Sequence, residues 1–186
     1  LKTFLVGEGQ SVHEFAYFSL TYPILKDLTD WKLSTTYSDG WSALSFNDAS
    51  WTTYSPTVGA SSLTGTQYYR HTFTGMAGMA AFEARFYYQH GIVAYINGVE
   101  VYRDNMPAGT ITSSTAASAS YSALDYRGIV RAADVAPSGS CVMAVEMHFV
   151  VPSSVNAALF NMYMAYLASN YEADNCFVFP YLPTIS

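Results

Sequence analysis

Alternation with a period of two runs through most of the chain, and helical periodicity is hard to find. Between Phe82 and His90, the residues Phe82, Ala84, Phe86 and Tyr88 share one face, and Glu83, Arg85, Tyr87 and Gln89 share the other. That is the pattern of a half-buried strand. The next run, Ile92 to Ile96, meets Asn97-Gly98 and then Val99 to Arg103. Asn-Gly between two β-rich runs predicts a tight hairpin, because both central residues of a type I′ turn need positive φ. From Cys141 to Phe149, the residues Met143, Val145, Met147 and Phe149 point one way. Glu146 and His148 point the other, which predicts a strand whose outer face is polar. Leu159 to Leu167 is apolar on both faces, as a central strand would be, and Tyr68 to Phe73 adds another candidate. Turn chemistry separates these runs at Ser38-Asp39-Gly40, Met106-Pro107-Ala108-Gly109 and Ala136-Pro137-Ser138-Gly139. Short helical turns are expected near Tyr22 to Asp30 and Ser122 to Arg131. Many short strands at close spacing predict an all-β fold, an antiparallel β-sandwich or jelly roll with strand-like N- and C-terminal extensions.

Composition sharpens this picture through one quantity, the shortage of charge. Of 186 residues only 12% are charged, against 51% hydrophobic and 16% aromatic. The aromatic content excludes a disordered chain. A net charge of −6, with three Lys and five Arg, leaves too few cations for a nucleic-acid surface. Soluble surfaces usually carry about a quarter to a third charged residues. Ser and Thr, attached sugars or burial against other subunits must fill the gap. The chain has no N-x-Ser/Thr acceptor; the run from Thr110 to Ser122 could carry O-linked sugars, with an ordinary polar loop as the plainer reading. Neither Asn105 to Leu124 nor Phe149 to Tyr171 offers about 20 consecutive apolar residues, so no membrane span is expected. The start at Leu1, without a basic and apolar leader, reads as a processed or partial product. Cys141 and Cys176 are the whole thiol inventory. They suit one disulfide of a secreted, extracellular or cell-surface protein, contributing about 3–4 kcal/mol by loop entropy, or else two buried free thiols.

Four stretches carry a resemblance. They are Phe46-Asn47-Asp48-Ala49-Ser50-Trp51, Tyr68-Tyr69-Arg70-His71-Thr72-Phe73, Tyr95 to Val101 leading to Asn105 to Gly109, and Val142 to His148. In order and spacing they resemble the galactose-binding-like jelly-roll domains, accessory modules of many secreted proteins. The resemblance implies a jelly-roll domain over 31–167, flanked by an N-terminal extension, 1–30, and a C-terminal one, 168–186. It transfers no ligand-binding residue, because the matching positions are strand cores and turns.

Enzymatic constellations are absent from the sequence. The histidines His13, His71, His90 and His148 form no metal-binding spacing, and no nucleophile elbow or phosphate loop occurs. Glu146 and His148 share a strand face and could serve a metal-dependent hydrolase, but an outward polar pair is the plainer reading. Asp48 is expected to make a turn. Asp27 with Asp30, and Glu172 with Asp174, could hold a structural Ca²⁺, with solvated acids as the ordinary alternative. No cofactor is expected, and the chain reads as non-enzymatic.

Two functions follow. Edge strands are normally guarded by charge, which is thin here. Apolar residues of the N-terminal extension, namely Phe4, Leu5, Val6, Val12, Phe15, Tyr17, Phe18 and Leu20, could pair with a neighbouring copy and propagate a filament or surface assembly, a homopolymer. The tail from Phe177 to Leu182 is a weaker donor because Pro180 lacks an N–H. The alternative is a carbohydrate-binding module, with Trp41 and Trp51 as platforms and Tyr102, Arg103 and Asp104 as polar contacts for glycans.

Overall fold

The computed structural model describes residues 20–26, 30–55, 62–63, 65–79, 81–121, 125–132, 134, 137–151, 156–157 and 160–167. Among the described residues there are twelve strands: β1 (Leu20–Lys26), β2 (Trp31–Ser34), β3 (Thr52–Tyr54), β4 (Ser62–Leu63), β5 (Gln67–Gly75), β6 (Ala81–Tyr88), β7 (Gly91–Ile96), β8 (Val99–Asp104), β9 (Asp125–Ala132), β10 (Gly139–His148), β11 (Asn156–Ala157) and β12 (Asn161–Leu167). They form a four-stranded sheet, β1-β12-β6-β9, and a six-stranded sheet, β3-β2-β5-β10-β7-β8, with β11 and β4 as a separate pair. All pairings are antiparallel. The chain is an all-β sandwich, as the alternation predicts.

The alternating residues meet where the pattern places them. Phe82, Ala84, Phe86 and Tyr88 of β6 pack against Met143, Val145 and Met147 of β10 and against Met162, Met164 and Tyr166 of β12 in one inter-sheet core. Trp31, Tyr69 and Phe160 close its end, with Phe160 edge-on to Trp31 at 5.1 Å. The β7–β8 hairpin turns at Asn97 (φ 51°) and Gly98 (φ 84°), the expected type I′ signature. Over Asn161–Leu167 the central-strand expectation also holds, since β12 lies inside its sheet between β1 and β6.

Where the expected helical turns fall on described residues, 22–26 and 125–131, both are strands. Tyr22 lies in β1, which pairs along β12 from Leu20 opposite Leu167 to Lys26 opposite Tyr163. Pro23 is tolerated there because β1 is an edge strand, where a missing N–H breaks no inner ladder. Residues 125–132 form β9 along β6, where Gly128 runs so close to Ala84 that a Cβ would stand 2.1 Å from its carbonyl oxygen. That inter-strand approach overrides local helical preference.

Of the proposed donor residues only Leu20 is described, and it pairs within its own chain. Phe4, Leu5, Val6, Val12, Phe15, Tyr17 and Phe18 lie outside the described residues, as does the 168–186 extension. Cys141 is buried, with its thiol donating to the Pro137 carbonyl at 3.1 Å; Cys176 lies outside the described residues.

The scarce charges are not spread evenly. Lys26 lies on β1, Arg103 on β8, and Arg127 and Arg131 on β9, so four of the eight Lys and Arg sit on edge strands.

Candidate functional site

The outer face of the six-stranded sheet is covered by the chain's own loop, residues 35–51. Trp41 is buried at its centre, edge-on to Tyr68 at 4.9 Å and to Tyr95 at 5.7 Å, and packs on Ala144 of β10. Trp51 stacks on Trp41 with ring centroids 6.4 Å apart and planes 23° apart, and Phe46 meets Trp51 edge-on at 5.6 Å. These residues form a second, smaller hydrophobic cluster on the side of β10 away from the main core.

This cover corrects the expected outward pair. Glu146 is 5% exposed and His148 is fully buried, because the 35–51 loop and the segment 105–119 lie over their face. Tyr95 donates its hydroxyl to Glu146 Oε1 at 2.6 Å. His148 Nδ1 stands 2.8 Å from the Thr115 carbonyl, which can only accept, so this nitrogen carries a proton. Thr66 donates to the Ser113 carbonyl at 2.8 Å and stands 3.2 Å from the same imidazole nitrogen. His148 Nε2 lies 3.3 Å from Glu146 Oε2, within ion-pair range but not aligned as a hydrogen bond. His148 ties the 105–119 segment to β10 through Thr115, while Glu146 is held by Tyr95. Among the described residues no three His, Cys, Asp or Glu side chains gather as a metal site. Asp27, Glu172 and Asp174 lie outside them, and Asp30 stands 3.4 Å from His71 Nδ1.

The candidate glycan contacts separate into two groups. Trp41 and Trp51 come together, with Trp41 as core and Trp51 half-buried at the surface. Tyr102, Arg103 and Asp104 lie on β8 and are engaged elsewhere. Arg103 grips Glu100 through two contacts, Nε at 2.9 Å and Nη2 at 2.7 Å, and its Nη1 donates to the Gly109 carbonyl at 2.8 Å. Asp104 Oδ2 accepts from the Tyr88 hydroxyl and, at 2.7 Å, from Tyr121; Tyr88 and Tyr102 share a hydrogen bond of 2.8 Å. Burial pushes the Tyr102 phenol up to about 12 and raises Tyr88 further, so both stay protonated at neutral pH. Arg127 lies 3.7 Å over the Tyr121 ring, completing a clasp between the two sheets.

Beside Trp51 lies an open groove of about 500 Å³, lined by Leu33, Ser34, Thr35, Thr36, Ser38, Ser50, Trp51 and Thr52. Small-molecule sites typically span roughly 300–1,000 Å³. No lining residue is charged. Its chemistry is hydroxyl groups around one indole, at the edge where the 35–51 loop leaves β2 and returns to β3. The sequence flagged Trp51 alone; the Ser and Thr residues, dispersed between 34 and 52, carry no motif.

No protein-family model and no curated protein matches the chain. Solved structures share its fold. A glycosyl hydrolase family 2 member from Bacteroides cellulosilyticus superposes with a TM-score of 0.51 at 12% identity, over 77% of this chain and 20% of that one. A β-glucuronidase from Bacteroides uniformis gives 0.50 at 13% identity, over 79% and 18%. Bacteroides uniformis β-glucuronidase 2, covalently bound to cyclophellitol-6-carboxylate aziridine, gives 0.50 at 12% identity over the same shares. The chain thus spans about a fifth of the enzymes it matches. The likeness is one of fold: a β-sandwich domain such as forms one part of those larger chains.

Proposed function

We propose that this chain is a non-catalytic, galactose-binding-like β-sandwich module of a secreted protein, and that it contacts glycans through the groove beside Trp51. The uncharged, hydroxyl-rich lining around a half-buried indole carries the reading. A sugar ring offers C–H faces to an aromatic plane and hydroxyls to Ser and Thr oxygens, and this groove supplies both without a charge to desolvate. Trp51 is pre-set against Trp41 and Phe46, so little side-chain freedom is lost on binding. The solved neighbours are glycosidases, the same chemical context, although their likeness extends to fold only. The test is calorimetric titration with neutral oligosaccharides. Binding by the parent that disappears in Trp51→Ala supports the reading; a parent that binds no oligosaccharide retires it.

A second reading, a structural subunit that self-assembles, draws on the low charge and on exposed apolar residues of two edge strands, Val99 at 54% and Tyr126 at 45%. Electron microscopy of concentrated protein decides it. Polymers support it, and monomers at every concentration exclude it.

A further inference from the structure

Arg70 sits within β5, an inner strand of the six-stranded sheet, and is 1% exposed. Its side chain turns away from the main core toward the covering loop. Nε donates to Asp48 Oδ2 at 2.8 Å, Nη1 donates to the carbonyls of Trp41 and, at 3.0 Å, Ala43, and Nη2 donates to the Phe46 carbonyl at 3.3 Å. The guanidinium also lies 5.2 Å from the Phe46 ring centroid. All these partners belong to the loop. The loop's own backbone bonds are local turns, such as Ala43 N to Gly40 O at 2.9 Å and Trp51 N to Asp48 O at 2.9 Å. Such turns do not fix where the loop sits on the sheet.

A buried guanidinium needs its donors satisfied, and inward-facing carbonyls need donors. Each therefore specifies the other. The planar fork with several donors fits this task, whereas a lysine offers a single point of charge. Asp48 lies three residues before Trp51, so fixing Asp48 fixes the end of the loop that presents Ser50 and Trp51 to the groove. We propose that Arg70 is the positioning residue of the groove: from beneath the loop it sets the place of Trp51 and Ser50 without touching the ligand. The ligand class rests on the function proposed above, but the positioning itself does not.

The experiment compares Arg70→Lys and Asp48→Ala in the full chain. Asp48→Ala removes the acceptor of the Arg70 Nε bond from the loop side and leaves the sheet residue in place. Amide exchange across residues 41–51 should accelerate by about tenfold or more, the worth of one lost hydrogen bond, while β6 and β10 keep the parent rates. The Trp51 contribution to fluorescence, taken as the difference from a Trp51→Phe counterpart, should become more quenchable by acrylamide. Loop exchange and quenching unchanged in both variants would overturn the proposal. Uniform acceleration over all strands would also overturn it, since Arg70 would then stabilise the fold at large. Maltohexaose and cellohexaose titrations run alongside; a parent that binds neither sinks the glycan reading and leaves the positioning result to stand on exchange and quenching.

Discussion

Asn97 and Val142 are bonded twice: the Asn97 amide donates to the Val142 carbonyl at 3.1 Å, and the Val142 amide donates to Asn97 Oδ1 at 2.9 Å. The side chain thus extends the β7–β10 ladder past the point where the hairpin turns away. The same residue holds φ at 51°, which asparagine tolerates better than most. Asn97→Ala is expected to lose both features and to cost about 2–3 kcal/mol, from roughly 1–2 for the left-handed backbone and about 1 for the bond. Urea unfolding midpoints measure it.

Trp41 and Trp51 should separate stability from binding. Trp41→Ala opens a cavity under the loop and is expected to cost about 3–5 kcal/mol. Trp51→Ala exposes less and should cost less, yet it should abolish oligosaccharide binding. Denaturation curves and titrations on the two variants show whether the roles divide this way.

Asp104 is expected to matter to the fold and not to a ligand. In Asp104→Ala the Tyr88 and Tyr121 hydroxyls lose their shared acceptor, a loss of about 1–3 kcal/mol with Tyr88 fully buried. Oligosaccharide affinity should stay at the parent value. A drop in affinity without a drop in stability would return β8 to the binding face.

Gly128→Ala should split β9 from β6. The added methyl would meet the Ala84 carbonyl oxygen at 2.1 Å, a backbone atom that cannot swing aside. A cost of about 1–3 kcal/mol is expected, typical of overpacking. Amide exchange confined to β6 and β9 would locate the damage.

Two histidines set an acid-side limit on stability. Burial lowers His71, against an upward pull from Asp30, and burial alone lowers His90, both from an ordinary value of 6.5. The unfolded chain therefore takes up protons before the folded one does. Their effect is absent above that value, and stability falls as pH drops below it. Denaturation midpoints at pH 7.5 and 5.5 should differ in this direction, and the difference should shrink in His90→Gln. An equal or larger difference would assign the effect to other groups.

The β architecture was legible because strand alternation is local. Phe82 to Tyr88 and the Asn97-Gly98 turn declare themselves within a few residues. The strand at 125–132 is not legible for the converse reason: it is held by the close approach of Gly128 to Ala84, a partner over 40 positions away. Glu146 and His148 look like an outer face because alternation records two sides of a strand, not what covers either. Trp51 stood out as a large aromatic, but a groove assembled from scattered Ser and Thr leaves no spacing to find. Arg70 was visible as a lone cation in an aromatic run, and its five donors became meaningful only with the loop in place.

Because β10 sends Met143, Val145 and Met147 to one cluster and Ala144 to the other, the loop is not a detachable ornament. Exchanging residues 35–51 for a foreign segment would strip one side of the strand on which the inter-sheet packing also depends. A successful transplant would have to bring its own tryptophan plug and its own carboxylate for the arginine below. On the function proposed above, variety in the ligand would be confined to the rim, where Thr35, Thr36, Ser50 and Thr52 line the groove.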